Sequence, residues 1–215
     1  MSINMLKKFA VSCALIAGCA TTAWSDVTVL TFEGIADQQE IGNYYNGGAG
    51  GDYGISFLPG ALALVSETAG GYGNFEGGSS GVTIIFFLNS NSAVMNVADG
   101  FTDGFSFYYA AYQPGNVTVY DGLNATGNVL ATFELQQTVF GEEIESWMPV
   151  GVNFSGTAFS VSFAGAANQI GFDDITIGSA NAGGTIPEPS TYAALLGAAA
   201  LVGVWAARRR RTTNT

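Results

Sequence analysis

Residues 116–135 read NVTVYDGLNATGNVLATFEL, and they decide the fold. Val117 and Val119 alternate with Asn116, Thr118 and Tyr120, a period of two that belongs to an extended strand. A second strand is predicted at 128–135. Between the two, Asp121, Gly122, Asn124 and Gly127 supply the residues of a tight reversal. Two strands joined by so short a loop must run antiparallel.

The same device recurs on both sides of this hairpin. Strands are predicted at VTVLTF (27–32), YGISF (53–57), ALALV (61–65) and VTIIFFL (82–88). The last is apolar on both faces and suits a central, covered position. In FTDGFSFYYA (101–110) the residues Phe101, Phe105, Phe107 and Tyr109 share one face, with Thr102 and Ser106 opposite. Met148, Val150, Val152 and Phe154 alternate with polar or small residues, as do Phe159, Val161 and Phe163, and NQIGFDDITI (168–177) closes the series. About ten short strands separated by Gly, Asn and Ser clusters predict an all-β fold, an antiparallel two-sheet sandwich of jelly-roll type.

The charge distribution narrows function. Of 215 residues, sixteen of the seventeen acids lie in 26–186, a stretch with no Lys or Arg, and the whole chain lacks His. Such a body repels nucleic acid and anionic lipid, because phosphate binding needs neutralising cations. Catalytic triads and phosphate clamps cannot be assembled in it. Only carboxylate chemistry remains, and Glu142, Glu143 and Glu145 are a cluster for it. Their loop context and the opposed directions of adjacent residues argue against a paired acid and base. No catalytic residue is assigned, and the chain is expected not to be an enzyme.

The ends carry processing signals. Lys7 and Lys8 precede an apolar run from Phe9 to Ala20, and small residues at Ala23 and Ser25 suit cleavage, so 1–25 reads as a signal peptide. The stretch IAGC, ending at Cys19, offers lipoprotein processing as an alternative. Cys13 and Cys19 both lie in this segment, so a cut after residue 25 leaves no thiol. At the other end, 26–178 is the predicted sandwich and 179–186 a flexible linker. Residues 187–211 hold Pro187, Glu188, Pro189, Ser190 and Thr191, an uncharged run at 192–207, then Arg208, Arg209, Arg210 and Arg211. A helix over 192–207 would reach about 24 Å, slightly short of the roughly 30 Å hydrocarbon core. Arginines after it stay cytoplasmic, which places the body outside the inner membrane.

This order of motif, apolar helix and arginine cluster resembles the PEP-CTERM sorting signal of Gram-negative bacteria. The resemblance implies recognition by an exosortase, a transient stay in the inner membrane, and delivery to the cell surface or an extracellular matrix. YYNGGAGGDYGISF, NVTVYDGLNATGNVLATFEL and FAGAANQIGFDDITIGS are similar to the bodies of other proteins that carry this tail.

Three groups of residues are candidates for binding. Glu33 in TFEG, with Asp173 and Asp174 in GFDDI, resembles the calcium-holding pair of several carbohydrate-binding sandwich modules. Calcium takes six to eight oxygens, so it would staple the first strand to the last; the same acids also fit a solvated strand end. Asp121, Asn124 and Thr126 form an oxygen-rich loop that turn chemistry explains. For polysaccharide, whose rings stack on aromatic faces, the candidates are Tyr44, Tyr45 and Asn46 beside the 47–51 loop, and Trp147. Tyr72, Tyr108 and Tyr112 are further possibilities. The expected role is binding to carbohydrate or exopolysaccharide, or passive structural adhesion. Asn116, Asn124 and Asn153 each begin an Asn-x-Ser/Thr triplet.

Overall fold

The computed structural model describes residues 27–184, and alternation in the sequence becomes strand almost everywhere. In chain order the strands are β1 (Thr28–Leu30), β2 (Asn46–Gly48), β3 (Gly51–Asp52), β4 (Ile55–Phe57), β5 (Leu62–Val65), β6 (Thr83–Phe86) and β7 (Ser92–Phe101). They continue with β8 (Phe105–Ala111), β9 (Gly115–Tyr120), β10 (Val129–Leu135), β11 (Met148–Val152), β12 (Ala158–Gly165) and β13 (Ile170–Ile177).

One sheet has the order β11-β8-β13-β6-β5, with β1 also on β13. The other runs β10-β9-β12-β7-β4, and β2 with β3 makes a separate small hairpin. All strand pairs are antiparallel, so the two-sheet sandwich expected from the sequence is the fold. β9 and β10 pair across the predicted loop, with Thr118 opposite Thr132.

A cluster of rings joins the layers. Phe107 of β8 lies 5.3 Å from Phe133 of β10 and 5.7 Å from Phe172 of β13, and Phe163 of β12 lies 4.9 Å from Phe172. These edge-to-face contacts come from inward residues of both sheets, which is what period-two alternation delivers. β6 is buried on both faces, as its apolar run predicts. Ile85 faces the central core, while Ile84 enters a second cluster with Phe75, Ala110, Val139 and Ile144 on the sheet's outer side.

Three features depart from the sequence reading. The longest strand, β7, falls at 92–101, where no strand is predicted. Phe159 leaves the core face because the pairing of β12 with β7 shifts register between Ala158 and Ser160. Residues 179–184, expected to begin a linker, pack on the sandwich instead. Ser106 Oγ donates to the Ser179 carbonyl at 2.8 Å, and the Gly183 N–H donates to Thr176 Oγ1 at 3.1 Å. That strap explains how Ser106 is fully buried although polar.

First and last strands lie side by side, with Thr28 opposite Ile177. Both ends of the described chain therefore leave from one pole. Ile170, at the other end of β13, lies seven residues away, about 23 Å at ~3.3 Å per residue. Among the described residues no helix is long and apolar enough to cross a membrane. The expected signal peptide and the helix at 192–207 fall outside them, as does the 187–211 motif.

Candidate functional site

Two polar constellations stand out, and only one is open to a ligand. The closed one forms where β1 and β6 take different parts of the same edge of β13: β1 pairs at 175–177 and β6 at Phe172. Between them the pairing of β13 with β8 shifts register, and Asp174 adopts φ 47°. Such a bulge re-aims side chains, and here both acids meet the 78–83 segment. Asp173 Oδ2 accepts from the Ser80 N–H at 2.9 Å and from Ser79 Oγ at 3.2 Å, while Asp173 Oδ1 accepts from the Asp174 N–H at 2.7 Å. Asp174 accepts from Ser79 Oγ at 2.8 Å and bonds Ser80 Oγ. Glu33 Oε1 accepts from the Val82 and Thr83 N–H groups at 2.9 and 2.8 Å.

Glu33, Asp173 and Asp174, grouped in the sequence reading across the first and last strands, all bond the 78–83 segment. In this arrangement three of the carboxylate oxygens accept backbone N–H groups. Among the described residues no three acidic, His or Cys side chains are arranged to hold a metal ion. The loop itself staples the strands. Burial first, and then the Asp174 charge, push Asp173 up to about 7 against the pull of the Ser80 N–H.

Tyr45 belongs to this structural shell and not to a ligand surface. It is 5 % exposed, and its hydroxyl accepts from the Phe32 N–H at 2.7 Å. Phe32 sits at φ 62°, off the regular ladder, so a side chain must satisfy its N–H. Burial raises the Tyr45 hydroxyl pKa well above its ordinary value. Tyr44 donates to the Glu33 carbonyl at 2.8 Å. Asn46 is exposed on the β2–β3 hairpin. Trp147 donates from Nε1 to the Gly77 carbonyl at 2.9 Å and stands edge-on to Phe75, a lid on the outer apolar cluster. The four expected ligand residues do not meet in one site.

Asp121, Asn124 and Thr126 serve their turn. Asp121 accepts from the Asn128 N–H and side-chain amide at 2.6 and 2.8 Å, bonds that hold its carboxyl below the usual range. Asn124 exchanges two hydrogen bonds with Asn96, and Thr126 bonds the Leu123 carbonyl.

The open constellation is a groove on the outer side of the six-stranded sheet, at the pole opposite the chain ends. It measures about 470 Å³ and is lined by Gln38, Leu64, Tyr72, Asn74, Phe86, Leu88, Tyr112, Glu142, Asn168 and Gln169. A minor recess of about 30 Å³ adjoins it at Ile84, Ala110 and Ile170. Tyr72 stands 82 % exposed on the turn after a short 3-10 segment, Glu67–Ala69. Asn74 Nδ2 donates to the Tyr112 hydroxyl at 2.7 Å and to the Glu142 carbonyl at 2.9 Å, and Tyr112 donates to that carbonyl at 2.8 Å. Burial, opposed by the Asn74 bond, raises the Tyr112 pKa. The Tyr112 N–H donates to the Gln169 carbonyl at 2.8 Å, and Asn168, at φ 58°, donates its N–H to Phe87 at 2.8 Å.

The result is a wall of amides and hydroxyls beside an exposed aromatic face. One carboxylate, Glu142, lines it, whereas glycoside hydrolysis uses two. The sequence reading names Tyr72 and Tyr112 but misses Gln38, Asn74 and the adjacent pair Asn168 and Gln169, which come from three separate stretches with no shared spacing.

Residues 185–211 match the PEP-CTERM protein-sorting motif. That motif marks an exported protein processed at the membrane, and it implies processing by an exosortase. No curated protein sequence matches the chain. Among solved structures, the body is similar to the K2 cleaved adhesin domain of Lys-gingipain, at 14 % identity over 71 % of this chain and 99 % of that one, TM-score 0.49. It also resembles carbohydrate-binding modules. A family 29 module matches at 12 % identity over 73 % and 95 % of the two chains, TM-score 0.42. A family 6 module from Clostridium stercorarium, in complex with cellobiose, matches at 12 % over 71 % and 93 %, TM-score 0.39.

Proposed function

We propose that this protein is an exosortase substrate whose β-sandwich serves at the cell surface, or in the extracellular matrix, as a binding module for exopolysaccharide. The observation that supports the reading is the groove at the free pole of the sandwich, where the exposed Tyr72 ring adjoins the Asn74–Tyr112–Glu142 network and the amides of Asn168 and Gln169. Pyranose rings offer an apolar face for the tyrosine and hydroxyls for the amides. The pole carrying the chain ends is the side of the membrane, so the groove faces outward.

Affinity electrophoresis of the full chain through gels containing single polysaccharides tests the proposal. Retardation by at least one polymer, abolished by Tyr72→Ala with the thermal midpoint unchanged, is the expected result. Mobility unaffected by every polymer would overturn it in favour of a passive structural or adhesive role.

A further inference from the structure

Building on the groove reading, we infer that the ligand is an uncharged glycan and that acidic glycans are rejected. The groove's polar groups are amides and hydroxyls that can serve neutral hydroxyls as donors or acceptors. The only formal charge in its lining is Glu142, and Glu143 lies close enough to disfavour ionisation of the Tyr112 hydroxyl. No cation answers them, since residues 26–186 contain no Lys or Arg and the chain has no His.

A uronate, sulfate or phosphate placed here would give up hydration without gaining a charged partner. It would also approach a body that carries nearly all the chain's acids. That repulsion is long-ranged only at low ionic strength, because the screening length is about 30 Å at 0.01 M salt and about 3 Å at 1 M. Rejection therefore has a local part, set by Glu142, and a global part that salt removes.

The test uses matched polymers: neutral glucan, mannan and xyloglucan, and each of them oxidised at C6 to the carboxylate where a primary hydroxyl exists. Binding of the full chain is measured at 10 mM and 500 mM NaCl. A neutral polymer that binds should lose at least about tenfold in affinity on oxidation at low salt, with partial recovery at high salt and in Glu142→Gln. Equal or tighter binding of the oxidised form, with Tyr72→Ala still abolishing both, overturns the selectivity and leaves the groove reading standing. Binding that survives Tyr72→Ala, or no binding to any polymer, overturns the groove reading and the selectivity with it.

Discussion

The Asn74 side-chain amide donates to the Tyr112 hydroxyl across 2.7 Å and 38 residues of chain. Both then converge on the Glu142 carbonyl, so three separate loops are tied into one wall of the groove. Replacing Tyr112 by Phe removes two of those bonds and keeps the ring. At a net value near 1 kcal/mol for a hydrogen bond, calorimetry should show a fall of about 1–2 kcal/mol in stability. Polysaccharide binding should weaken as well. Stability lost with full binding retained would assign the network to folding alone.

Tyr45 gives the converse case. Tyr45→Phe leaves the buried Phe32 N–H without its acceptor, a loss of about 1–3 kcal/mol. Denaturant unfolding reads the cost, and gel retardation by polysaccharide should be unchanged, because the residue lies in the core.

Asp173 makes stability depend on pH. Its carboxyl stands at about 7 when folded against 3.8 as the reference, so the folded state holds the proton more tightly. Stability is fully present below about pH 4, falls as pH rises through about 7, and is flat beyond. The slope is at most about 1.4 kcal/mol per pH unit. Urea unfolding of wild type between pH 4 and 8 should show the decline, and Asp173→Asn should flatten it. Calcium at pH 8 should leave both midpoints in place. A rise of several degrees in wild type alone would mean that the serines yield the carboxylates to a cation.

Gly81 adjoins the same staple. It sits at φ 70°, and a Cβ there would lie 2.5 Å from Glu33 Cδ. Gly81→Ala should cost about 1–2 kcal/mol for the left-handed conformation, with displacement of the Glu33 carboxylate added. Thermal melts check the size. A change within 0.5 kcal/mol would show that the loop can slide clear of Glu33.

Much of this was legible in the chain. Period-two alternation, with Asp and Gly at the reversals, locates β9, β10 and β13, and the convergence of Glu33 with Asp173 and Asp174 follows once first and last strands are neighbours. β7 was hidden because Asp99 and Gly100 look like a turn, yet Gly100 takes φ 72° inside the strand. Tyr44 and Tyr45 read alike as neighbours in a glycine-rich loop, but one ring is half-buried and the other lies in the core. The groove could not be read. Its residues are drawn from seven stretches between 38 and 169, and only the third dimension gathers them.

The packing of residues 179–184 against β8 and β13 carries the described sandwich to Gly184, three positions before Pro187 in the sequence. With the groove at the Ile170 end of β13 and Gly184 at the Ile177 end, a pull between a polymer held as proposed and the C-terminal side of the chain would run lengthwise along that strand. Ladder bonds lie across the strand axis, so the sandwich meets tension in shear, with the bonds of β13 to β8 and β1 strained together. Single-molecule pulling from residue 184 against a captured polymer should therefore rupture the polymer contact before the sandwich unfolds.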